Sequence, residues 1–101
     1  MIVKEIGVPT LLEQTAEEAC ELAQACLKMA RKLRDENPTP VSVEDIRENL
    51  QEEICDIKVC LSLIETETNI TDARNITLAM LEKLTRWQNR LDANIDDLEE
   101  L

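Results

Sequence analysis

Apolar residues recur every three or four positions along three long stretches of the chain, the spacing of one face of an α-helix. The first stripe runs Leu12, Ala16, Ala19, Leu22, Ala23, Cys26, Ala30 and Leu33. The second is Val43, Ile46, Leu50, Ile54, Ile57, Leu61 and Ile64, and the third is Ile76, Met80, Leu84, Trp87, Leu91, Ile95 and Leu98. Helices are therefore expected over about 11–36, 43–66 and 71–100. Thr10, with Glu13 three residues on, reads as a capping box for the first, and Ser42, with Asp45 in the same relation, starts the second. Two prolines in "NPTPVS", Asn37 to Ser42, disfavour helix in the residues before them and force a turn. "ETETNITD", Glu65 to Asp72, is rich in Thr and Asn, which bond their own backbone and favour a break. Residues 1–9 have no helical period and read as a tail.

Helices of about 25 to 30 residues are roughly 35 to 45 Å long. A sharp turn makes the first two antiparallel neighbours. So long a bundle with so few members leaves apolar sides uncovered, and the usual remedy is pairing with further copies. The expected fold is all-α, a single domain over 1–101, with long antiparallel helices in a bundle completed by a homodimer or homotetramer. Composition agrees: Gly occurs once and Phe and Tyr never, so the residues that favour strands are scarce.

Charge narrows the function classes. The chain carries 22 acidic and 11 basic residues, a net charge of -11. That balance argues against nucleic acid or an anionic membrane as partner, since both require a basic face. No His is present, which excludes a His general base and an imidazole-rich zinc or copper site. Cys20, Cys26, Cys55 and Cys60 have no C-x-x-C spacing and read as small hydrophobes within helices, which fits a reducing cytoplasm. No targeting segment or bilayer-length apolar run is expected.

The unusual feature is where some of the acids fall. Glu18 and Glu21 are three residues apart on the first helix, and Glu53 and Asp56 repeat the relation on the second. Such pairs share a helix face. Glu53 lies between Leu50 and Ile57, and Glu18 is followed one turn later by Leu22, so both fall on or beside an apolar stripe. Glu17 and Glu52 point away from it. Sixteen residues separate Glu21 from Asn37 and 11 separate Ser42 from Glu53, so the two pairs meet at similar levels across the turn. Crowded, partly desolvated carboxylates need cations. An oxygen-only cluster suits Mg2+, or Mn2+, which take octahedral oxygen ligands. The plain alternative is four charges on solvated helix faces.

"EEACE", Glu17 to Glu21, followed by "EEICD", Glu52 to Asp56, resembles the E-E-x-x-E and E-x-x-D signature of the MazG-like, all-α nucleoside triphosphate pyrophosphohydrolases. These are relatives of the dimeric dUTPases and the dCTP pyrophosphatases. The resemblance covers roughly Leu12 to Leu91, including Gln14 and the segment "EKLTRWQNRL". It implies Mg2+-dependent hydrolysis of a nucleoside triphosphate to the monophosphate and pyrophosphate, a role in clearing nucleotide pools, with Glu18, Glu21, Glu53 and Asp56 as metal ligands and catalytic acids. The ion would neutralise charge on the phosphates and acidify an attacking water. Without His, the proton acceptor is one of these carboxylates or hydroxide on the metal.

A triphosphate also calls for cations from the protein. Lys28 and Lys32 follow Glu21 and Gln14 along nearly the same helical stripe, and Lys83, Arg86 and Arg90 form an i, i+3, i+7 stripe. The latter set resembles the basic residues that family members direct at phosphates, and with Gln14 these five are the expected substrate contacts. Each of the five cations also reads as an ordinary surface charge, Lys28 and Lys32 more so than Lys83 and Arg90 of the third helix. Trp87 continues an apolar stripe and reads as a core or interface residue, so no base-stacking platform is evident. The rival readings are a helical interaction module without catalysis and a regulator that binds nucleotides without hydrolysing them.

Overall fold

A computed structural model describes residues 1–35 and 40–99. Its helices are α1 (Ile2–Ile6), α2 (Val8–Arg34), α3 (Val43–Glu67) and α4 (Ala73–Glu99), and no strand occurs among the described residues. The all-α expectation holds. The chain divides into two compact units, Met1–Ile70 and Thr71–Leu101. The expected ends at 36 and 100, and part of the turn at 37–42, lie outside the described residues.

The first correction is at the N-terminus. Residues 2–6 form a helix instead of a tail, and α2 begins at Val8 instead of about 11, so Thr10 is not its cap. Gly7 joins the two helices at φ 87°, a conformation that side chains disfavour, and Pro9 sits at the start of α2, where a missing N–H costs nothing. Long-range packing sets this segment. Val3 is buried with Leu11 and Ile64, and its N–H, free at the start of α1, donates to Glu67 Oε1 at 3.1 Å. Local periodicity carries no trace of such contacts.

The start of α3 is as expected: Ser42 Oγ accepts from the Asp45 N–H at 3.1 Å. Asp72 performs the same service for α4, accepting from the N–H groups of Arg74 and Asn75 at 3.0 and 3.2 Å. At the other end of α2, Asp35 adopts the left-handed conformation, φ 54°, and its N–H reaches the Arg31 carbonyl at 3.0 Å.

Helices α2 and α3 form an antiparallel hairpin: Leu11, early in α2, packs on Ile64, late in α3, while Gln24 and Ala25 share a cleft with Asn49. The covered positions on α2 include Val8, Leu11, Thr15, Glu18, Leu22, Ala25 and Met29. On α3 they include Ile46, Asn49, Glu53, Asp56, Cys60, Leu63 and Glu67. Both sets alternate steps of three and four, the signature of a helix seam. Leu11 and Ile46 are each 1% exposed and contribute about 1.5–3 kcal/mol apiece through burial.

This seam corrects the expected α2 stripe. Leu12, Ala16, Ala19, Ala23, Cys26 and Leu33 are exposed; only Leu22 and Ala30 of that set are half-buried. The seam runs one position round the helix, through Thr15 and Glu18, because a periodicity search follows the most apolar line while packing follows the partner helix. On α3 the expected stripe is half right: Ile46 and Ile64 are buried, Leu50 and Ile57 half-buried, and Val43, Ile54 and Leu61 exposed. On α4, Ile76 is half-buried and the remaining six stripe residues are exposed. Trp87, at 62% exposure, is not a core residue.

Cysteine usage also needs correcting. All four are free thiols, but only Cys60 is buried; Cys20, Cys26 and Cys55 are exposed. Three of them therefore lie outside the hairpin seam and do not fill the role of buried hydrophobes.

Candidate functional site

Two seam positions on α3, Glu53 and Asp56, face one on α2, Glu18, with Glu21 one turn further along. Elsewhere the seam is mostly apolar, with Thr15, Asn49 and Glu67 as its polar members; here three carboxylates adjoin one another in it. One carboxylate oxygen from each of Glu18, Glu21, Glu53 and Asp56 can be chosen so that all four lie within 4.8 Å of one another. Glu18, Glu53 and Asp56 are half-buried and Glu21 is exposed, so the group is partly covered and opens to solvent at Glu21. Glu17 and Glu52 are exposed and outside the group, as their helical phase requires.

The hydrogen bonding of this group is incomplete. Gln14 Nε2 donates to Glu18 Oε1 at 2.8 Å, one turn along the same helix. Glu18 Oε2 and Glu53 Oε2 are buried and have no partner among the described residues. Buried polar atoms are satisfied in the great majority of folded proteins, so two unsatisfied oxygens in one cluster are a departure from the rule. Burial pushes the Glu18 carboxyl above its ordinary pKa of 4.5; the Gln14 hydrogen bond opposes this, and the charges of Glu21 and Asp56 add to it. An all-oxygen donor set with uncommitted lone pairs fits a hard divalent cation.

The expected substrate residues fall in three places. Gln14 is exposed and braces Glu18. Lys28 is half-buried and lines a cleft of about 430 Å³ together with Glu21, Ala25, Arg31, Asn49 and Glu53. Lys32, also half-buried, is not among the residues lining it. Lys83, Arg86 and Arg90 line a depression on α4 with Trp87 and Asn89, all of them exposed. They belong to the 71–101 unit and are described on that helix alone.

Arg31 and Asn49 were not singled out by sequence reasoning. Arg31 follows Lys28 at i+3, a signal that was readable. Asn49 had none, because its place beside α2 depends on the register of the hairpin. No helix among the described residues is long and apolar enough to cross a membrane. Compared with family models, curated proteins and solved structures, the chain has no match in any of the three.

Proposed function

We propose that this protein is a Mg2+-dependent nucleoside triphosphate pyrophosphohydrolase, converting an NTP or dNTP and water to the monophosphate and pyrophosphate. The observation that carries the reading is the meeting of Glu18, Glu21, Glu53 and Asp56 across the hairpin, with two buried carboxylate oxygens left unpartnered among the described residues. The order and spacing of the two acidic motifs, and their resemblance to the MazG-like signature, supply the reaction class. Glu18, Glu21, Glu53 and Asp56 are the residues that would hold Mg2+, with Mn2+ as a substitute. The chemistry such an ion supplies when bound is neutralisation of phosphate charge and acidification of water.

The chain's own groups account for the rest. Gln14 fixes the rotamer of Glu18 by bonding one of its oxygens, leaving the other turned into the cluster. Glu21, at the open mouth, is the carboxylate best placed to meet solvent and substrate, and a carboxylate there can accept the proton of an attacking water. Long exposed apolar rows on α2 and α4 support assembly of copies, as a homodimer or homotetramer; the free cysteines fit a place in the reducing cytoplasm. The test of activity is incubation of the full chain with Mg2+ and a panel of NTPs and dNTPs, with detection of released pyrophosphate. Turnover of at least one supports the reading; bound metal with no turnover of any would leave a degenerate relative, and nucleotide bound without product a regulator.

A second reading draws on those same apolar rows. Leu12, Ala16, Ala19, Ala23, Cys26 and Leu33 present a continuous exposed strip on α2, as a helical interaction module without catalysis would. That reading gives Mg2+ no role. A melting curve unchanged by millimolar Mg2+ would favour it over the enzyme.

A further inference from the structure

The cleft beside the acid tetrad has a direction. It shares Glu21 and Glu53 with the tetrad and continues along the hairpin to Lys28, Arg31 and Asn49. Ala25, 2% exposed at the seam, supplies the floor, and its small side chain leaves the space that a Leu would fill. We infer that Lys28, Arg31 and Asn49 form the subsite for the terminal phosphates of the substrate, so that the phosphate tail runs from the tetrad toward the connection between α2 and α3. This inference rests on the pyrophosphohydrolase reading and extends it to the orientation of the substrate.

Three features carry it. The chain has twice as many acids as bases, 22 against 11, yet this cleft draws two cations to one side. Neither Lys28 nor Arg31 has a side-chain ion pair or hydrogen bond among the described residues, although Glu21 and Glu53 line the same cleft. Their donors are uncommitted.

Geometry supplies the third feature. Lys28 and Arg31 lie seven and ten residues beyond Glu21, a rise of roughly 10 and 15 Å. Helical side chains lean toward the N-terminus, so both point back toward the acids instead of away from them. An Arg fork grips two phosphate oxygens at once, a Lys supplies a compact charge, and the Asn49 amide adds a neutral donor from the opposite helix. A monophosphate held at the tetrad would not reach this end of the cleft, which favours triphosphates.

The test is calorimetric titration of inorganic pyrophosphate into the full chain with Mg2+ present. Lys28→Gln and Arg31→Gln keep helix propensity. Each should weaken pyrophosphate binding about tenfold, the scale of one lost hydrogen bond to a charged group. The rise in melting temperature produced by Mg2+ alone should stay as in the unaltered protein. Lys58→Gln, an exposed cation on α3 outside this cleft, should leave pyrophosphate affinity unchanged. Pyrophosphate binding that ignores both cleft substitutions, or falls equally with Lys58→Gln, overturns the subsite while leaving the tetrad standing. An unaltered protein that Mg2+ fails to stabilise removes the tetrad reading, and this inference with it.

Discussion

Glu18 and Glu53, on opposite helices of one hairpin, each keep a carboxylate oxygen buried without a hydrogen-bond partner among the described residues, and both belong to the same four-acid group. Two like charges in adjoining seam positions oppose the packing of the helices that carry them. The hairpin should therefore be held more tightly with a divalent cation than without one.

Mg2+ should raise the melting temperature of the full chain, by an amount that grows with concentration as RT ln(1 + [L]/Kd) for one site. In the doubly substituted Glu18→Gln, Glu53→Gln protein the metal-free melting temperature should equal or exceed that of the unaltered chain, because a repulsion has gone. Its response to Mg2+ should vanish. Differential scanning calorimetry with and without chelator measures both effects.

Gln14→Ala removes the donor at 2.8 Å that orients Glu18. Outer contacts of this kind typically change metal affinity about tenfold or more when lost. Isothermal titration with Mg2+ should show that weakening with the fold intact, since Gln14 is exposed. An unchanged affinity would mean that the bond is incidental.

Acidity gives an independent check with a definite sign. Burial raises the folded-state pKa of Glu18 above its ordinary 4.5, so the native state holds this proton more tightly than the unfolded chain does. The associated stability is fully present below 4.5 and is lost as pH rises through the raised value. Metal-free protein should accordingly lose stability as pH climbs through that window, and Glu18→Gln should flatten the profile. The increment due to Mg2+ should run the other way, growing with pH, because protons and the ion compete for the same oxygens.

The N-terminal helix should matter more than its length suggests. Val3 is 5% exposed in the cluster with Leu11 and Ile64, and its backbone is tied to Glu67. Val3→Ala should destabilise the hairpin by about 2 kcal/mol in urea unfolding, from the methyl groups removed and the gap they leave. Ser42→Ala, which deletes the α3 cap, should cost about 1 kcal/mol. A mere tail would give no effect for Val3.

Sequence by itself determined the helical class, the α3 cap at Ser42 and the two acidic pairs, because each depends on residues within one or two turns. Spacing of three and four, an Ser hydroxyl three residues before a free N–H, and paired acids on one face are local facts. It also placed Glu18 and Glu53 close to a seam, since the residues around them are apolar.

Tertiary structure decided what depends on a partner. Which line of α2 is buried followed from contact with α3, and it passed through Thr15 and Glu18 instead of the more apolar line through Leu12 and Ala23. The folding of residues 2–6 followed from Val3 meeting Leu11 and Ile64, 61 residues away in the latter case. The cleft with Arg31 and Asn49 followed from the register of one helix against the other. Periodicity along a single helix fixes the angle between its own side chains; only the neighbouring helix fixes which angle faces inward.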